Sequence, residues 1–147
     1  MKKFKFTLEK YLDMKVSEDG KLKRSLSDVN KEIAAINFKI NEIEEKEERR
    51  RMEHSENCRK GVTGVELHEY SEYMSYLHDV HIELDAKLNK LIKKSDEYKQ
   101  KLIVLTNEIK ALNRMRDEQF RQFQKEIQDA EDRQLDDYVS FQAYSSL

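Results

Sequence analysis

Branched apolar residues recur at alternating steps of four and three along two long stretches of this chain. In the first half the set is Leu22, Leu26, Val29, Ile33, Ile36, Ile40 and Ile43. In the second half it is Leu84, Leu88, Leu91, Tyr98, Leu102, Leu105, Ile109 and Leu112, with Ser95 at the skipped position. A mean repeat of 3.5 residues draws one narrow stripe along a helix, and supercoiling keeps that stripe against a partner. Two stripes separated by a glycine-bearing break predict an all-α fold. The expected architecture is a long two-helix antiparallel coiled-coil hairpin with a C-terminal helical overhang, one domain over residues 1–147.

The pattern also sets boundaries. Helix one is expected over about residues 6–60, the turn over 61–64, helix two over about 65–138, and a tail over 139–147. Thr7 is the expected N-cap of helix one, and Leu8 and Leu12 already lie in register with the later stripe. The next two seam positions are polar, Lys15 and Asp19, and Gly20 follows. A kink or break is therefore expected at 17–20. Gly61 suits a helix C-cap, and Thr63 or Gly64 leads into helix two.

After Ile43 the seam positions pass to Glu47, Arg50, His54 and Asn57. Residues 42–51 are nearly all charged, and the spacing favours i,i+4 pairs Glu42–Lys46, Glu45–Arg49 and Glu47–Arg51, each worth about 0.2–0.5 kcal/mol. With a turn at 61–64, the numbers of facing residues add to roughly 125. Val29 then faces Ser95, Leu12 faces Leu112, and Ile43 lies near Ile82. Beyond about residue 118 helix two runs out of partner. Phe120, Phe123, Ile127 and Ala130 continue at 3-4-3 spacing on that overhang, followed by Leu135, Tyr138, Phe141 and Tyr144 at steps of three. An apolar stripe with no partner in its own chain suits docking to another molecule; a folded-back tail, or sparse aromatics in a disordered end, are the competing readings.

Composition narrows the classes of function. Apolar residues make up 37% of the chain and charged residues 39%, with three glycines and no proline. Such a chain cannot fill a three-dimensional core but can bury a seam between two helices. The net charge of −2 gives no footing for nucleic-acid binding. The ends differ: residues 1–24 carry eight Lys/Arg against four Asp/Glu, and residues 126–147 carry one Arg against six Asp/Glu. No signal peptide and no run of about 20 apolar residues is present, so direct membrane insertion is not expected. A basic membrane-surface helix at 2–15 is interrupted by Glu9 and Asp13. A single cysteine, Cys58, excludes an intrachain disulfide and suits a reducing cytoplasm.

Side chains that could carry chemistry are few. His78 and His81 are spaced for a shared metal, yet structural zinc takes four ligands and the cysteine is far away in sequence. His81 falls in the seam opposite Glu44 and Glu45, which suits a polar layer instead. Tyr70, Tyr73, Met74, Tyr76 and Leu77 cluster near the hairpin tip, more aromatic surface than the facing seam covers. They pack on the stems of Arg49, Arg50 and Arg51, or they form a partner site. No catalytic arrangement, cofactor site or metal site is expected, and the function read from the residues is non-enzymatic.

The opening Met1-Lys-Lys-Phe-Lys-Phe-Thr-Leu-Glu-Lys-Tyr-Leu12 resembles the start of the FliJ family of flagellar type III export proteins. Those begin with a basic Phe-x-Phe-x-Leu-Glu-x-x-Leu pattern running into a heptad helix, matched here by Phe4, Phe6, Leu8, Glu9 and Leu12. A stretch of the type Glu-x-x-x-Leu-Asp, Glu131 to Asp136, adds to it, while residues 141–147 depart from the usual pattern. The resemblance implies a coiled coil similar to the central stalk of rotary ATPases. It implies three partners: the flagellar export ATPase ring, the cytoplasmic domain of the export gate, and export chaperones. By the same similarity Phe4, Phe6, Phe120, Phe123 and Ile127 form the ATPase-facing end. Tyr70, Tyr73, Met74, Tyr76 and Leu77 would meet the gate or a chaperone. The implied location is cytoplasmic, peripheral at the inner face of the cell membrane. The alternatives are a structural coiled-coil module and a prefoldin-like chaperone hairpin, unrelated to flagella.

Overall fold

The computed structural model describes residues 2–146. Two α-helices, α1 (Glu9–Lys60) and α2 (Gly64–Ser145), pack against each other as an antiparallel hairpin, with no strand among the described residues. The fold class is all-α, as the apolar spacing predicts.

The turn follows from three residues. Gly61 takes φ = 93°, the left-handed conformation in which an L side chain is strained, and its N–H donates to the Cys58 carbonyl at 3.3 Å. Thr63 is the N-cap of α2: its Oγ1 accepts from the Glu66 N–H at 3.2 Å. A Cβ on Gly61 would meet nothing within 4 Å, so its substitution acts through the backbone alone. Gly61→Ala is expected to cost about 1–2 kcal/mol in urea denaturation, and Gly61→Asn less, because asparagine tolerates this conformation.

Three boundaries differ from the sequence reading. Helix α1 begins at Glu9, not near Thr7. Residues 2–6 are non-helical because Phe4 and Phe6 are drawn onto α2, and Thr7 Oγ1 accepts a bond from Gln119 Nε2 at 3.3 Å in place of capping α1. Helix α1 continues through 17–20 without a break. One glycine costs about 1 kcal/mol in a helix interior, too little to interrupt a segment held on both sides by seam contacts. Helix α2 extends to Ser145, so residues 139–145 are helix and not a separate tail.

The packing falls into two units, and α1 and α2 each contribute a segment to both. In Lys21–Leu102 the seam buries Val29, Ile40, Leu77, Leu84 and the polar Ser95, whose hydroxyl donates to Asn30 Oδ1 at 3.4 Å. Leu22, Leu26, Ile33, Ile36, Ile43, Leu88, Leu91 and Leu102 are half-buried along the same line. Ile82 falls one position past the seam and is exposed; His81 takes the inward place. The second unit joins the start of the chain up to Gly20 with α2 from Ile103 onward. Its core is Phe6, Leu12 and Leu112, with Phe4, Leu8 and Ile109 packed against it and Leu105 also buried. Lys15, polar at a seam position, is met by Glu108 at 2.9 Å. That carboxylate holds the Lys15 ammonium above its ordinary pKa, chiefly through the hydrogen bond, so the lysine stays charged across the physiological range.

Candidate functional site

The first surface is built where the chain start meets α2. Phe4 packs edge-on against Phe120, with ring centroids 5.2 Å apart, and tilts onto Phe123 at 5.5 Å. Helical spacing puts Phe120 and Phe123 on one face of α2, so one ring from the non-helical segment touches both. The overhang is thus not bare from residue 118: residues 2–7 lie along it. Phe123 is half-buried, Phe120 is 42% exposed and Ile127 39% exposed. Phe6 corrects the expected partner set, since it is only 6% exposed and belongs to the hydrophobic core. Beyond the rings, a groove of about 460 Å³ is lined by Lys2, Phe123, Glu126, Ile127, Ala130 and Glu131, among others. Leu135, Tyr138, Val139, Phe141 and Tyr144 continue α2 as exposed apolar side chains.

The second surface lies near the turn. Leu77 is 1% exposed, the most buried side chain of the core, and is withdrawn from the expected partner set. The heptad explains why: counting back from Leu84 through His81 lands on Leu77, Met74 and Tyr70, so these three point into the hairpin. Tyr70 stacks on His54 with centroids 3.6 Å apart and planes within 3°. Arg50 reaches over both Tyr70 and Tyr73, 5.9 Å from each ring. Only Tyr73 and Tyr76 of the cluster are exposed, Tyr76 at 63%. Tyr73 lines a groove with Lys46, Arg49, Arg50, Glu53 and Glu69. The cluster is therefore divided: Tyr70 packs on α1, and Tyr76 faces outward.

Charged side chains around this site settle into pairings other than those the i,i+4 spacing suggests. Arg51 takes Glu48 at 2.9 Å, and Arg50 takes Glu53 at 3.3 Å. Glu47 is drawn inward because it holds a seam position, and it lies 3.5 Å from His81 Nδ1. Glu44 and Asp85 approach His81 Nε2 at 3.8 and 3.6 Å. His78 is exposed on α2, apart from that layer. Cys58 is exposed, with its sulfur 3.4 Å from His54 Nε2.

What sequence reasoning missed is the reach of the chain start. The signal was present: Leu112, Arg116, Gln119 and Phe123 continue the seam at 4-3-4. This continuation aims Gln119 and Phe123 at whatever precedes α1. Two polar residues at seam positions hid it.

Among the described residues no helix is long and apolar enough to cross a membrane. No curated protein and no solved structure matches the chain. A family model described as "Flagellar FliJ protein" does match, over residues 4–147. That span takes in both units, the turn and the Phe4–Phe120–Phe123 contact, and so the chain belongs to the FliJ family, a structural component of flagellar protein export.

Proposed function

We propose that this chain works in the export apparatus as a stalk-like coupling element, with one end seated in the export ATPase ring. The tip surface then meets the cytoplasmic domain of the export gate and, in turn, export chaperones. In this reading the protein works in the cytoplasm, peripheral at the inner face of the membrane, and takes no cofactor. The observation that carries it is the exposed apolar run on α2. Phe120, Ile127, Leu135, Tyr138 and Phe141 have no cover from the chain sufficient to bury them. They are interleaved with acidic side chains from Glu126 to Asp137. A helix of that kind suits insertion into an apolar, basic-rimmed cavity. Tyr73 and Tyr76 supply anchors of the sort interfaces bury.

The test is the turnover of a purified flagellar export ATPase as the chain is titrated in. Saturable stimulation is expected, and Phe120→Ala with Ile127→Ala should weaken it at least tenfold in apparent affinity, on the order of what two interface anchors supply. Tyr73→Ala with Tyr76→Ala should leave this stimulation intact. An ATPase indifferent to the chain, alongside a self-associating chain in sedimentation, would replace the stalk by a plain coiled-coil module.

A further inference from the structure

Residues 2–5 are attached to α2 in an unusual way. They are non-helical, and none of them makes a backbone–backbone hydrogen bond among the described residues; the first such bond runs from the Glu9 N–H to the Phe6 carbonyl. What holds them is side-chain contact, the Phe4 ring against Phe120 and Phe123. The root of the segment is fixed differently. Phe6 is buried with Leu12 and Leu112, and Thr7 accepts from Gln119. A segment clamped at one end and held by one ring at the other opens locally at little cost, because no backbone bond has to break.

Its position matters as much as its attachment. Phe120, Phe123, Ile127 and Ala130 have the spacing of a surface that receives a helix. Four non-helical residues occupy the near end of that surface and cover it only in part, since Phe120 and Ile127 both remain well exposed. Lys2, Lys3 and Lys5 share their grooves with Glu126, and Lys2 with Glu131 as well, so opposite charge favours the closed position.

We propose that residues 2–5 form a displaceable strap, which occupies the Phe120–Phe123 end of the α2 stripe in the free chain and swings away about Phe6 when an amphipathic helix of the partner docks there. The identity of that partner as the export ATPase rests on the function proposed above; the strap itself does not. The strap competes with its partner for Phe120 and Phe123. Removing the Phe4 ring therefore tightens docking, and fastening the strap prevents it.

The experiment uses the full chain carrying Cys58→Ser. Lys5→Cys and Gln122→Cys, two exposed positions that line one groove beside the strap, are joined by a short bismaleimide, which leaves all three rings in place. Phe4→Ala is the second variant. Two probes are applied: an anilinonaphthalene sulfonate dye that reports accessible apolar surface, and the purified export ATPase. The expected dye signal is higher for Phe4→Ala than for the unaltered chain and lower for the crosslinked form. The expected ATPase affinity is about tenfold tighter for Phe4→Ala, the scale of one aromatic contact pair plus its burial, and lost on crosslinking. Equal dye uptake by all three forms, or ATPase binding undiminished by the crosslink, overturns the strap. An ATPase that ignores the unaltered chain counts against the proposed function instead, and the dye comparison then decides the strap by itself.

Discussion

Ile36→Asp combined with Ile40→Asp is expected to abolish cooperative folding and most of the helical signal in far-UV circular dichroism. Ile40 is 8% exposed and Ile36 half-buried, and both lie on the one seam that holds Lys21–Leu102 together. Each carboxylate would enter an apolar seam position, at an effective cost of several kcal/mol per ion. Native domains are stable by only about 5–15 kcal/mol in total. A hairpin has no second core layer to absorb the loss, so the two substitutions together exceed what the seam can supply. Phe38→Asp is the matched control. Phe38 lies between the two positions in sequence but is 65% exposed on the far face of α1. Its replacement should change stability by no more than about 0.5 kcal/mol. Equal damage from Phe38→Asp would mean that helix propensity, not the seam, sustains α1.

Leu77→Ala carries the next largest effect, a loss of about 2–5 kcal/mol in urea denaturation. Among the described residues this side chain is the one fully buried. Around it the seam turns polar, with His81, Glu47, Arg50 and His54 at neighbouring positions. Tyr76→Ala, one residue away, should be nearly neutral because that ring faces solvent. The two variants separate the roles mixed within the aromatic cluster: Leu77→Ala should reduce binding at the tip only by unfolding it, and Tyr76→Ala should affect binding without unfolding. A near-neutral Leu77→Ala would show that the polar stretch of the seam, rather than this leucine, holds the tip closed.

The contrast between these neighbours shows what periodicity reveals. From Leu22 to Ile43 and from Leu84 to Leu112 every expected seam residue is buried or half-buried, because a 3.5-residue repeat states directly which face is turned inward; of the polar positions that follow Ile43, Asn57 alone is exposed. The repeat is legible where leucine and isoleucine mark it and obscure where polar residues hold the same positions. Glu47, Arg50 and His54 are as much part of the seam as Ile43, and their opposite numbers Tyr70, Met74 and Leu77 looked like a loose aromatic cluster for that reason alone. Phe4 and Phe6 were obscure on different grounds. Their placement depends on side chains more than a hundred positions distant, and no local pattern reports such a contact. Gly20 misled in the other direction, since a residue that weakens an isolated helix does not end one that is packed.

The turn at Gly61 also governs the order in which the molecule can be assembled during synthesis. A chain leaves the ribosome at about 5–20 residues per second, and every α2 partner of α1 is made after α1 itself. Contacts beside the turn, such as His54 with Tyr70, become available within moments. Thr7 and Gln119 are separated by 112 positions, and Phe4 waits longer still for Phe123. Contacts therefore become available from the tip outward, like the teeth of a zip, and with no proline in the chain no slow peptide-bond isomerisation delays them. During that interval the isoleucines of α1 stand uncovered, a nascent helix with one sticky edge. The residues synthesised earliest are the last to find their place.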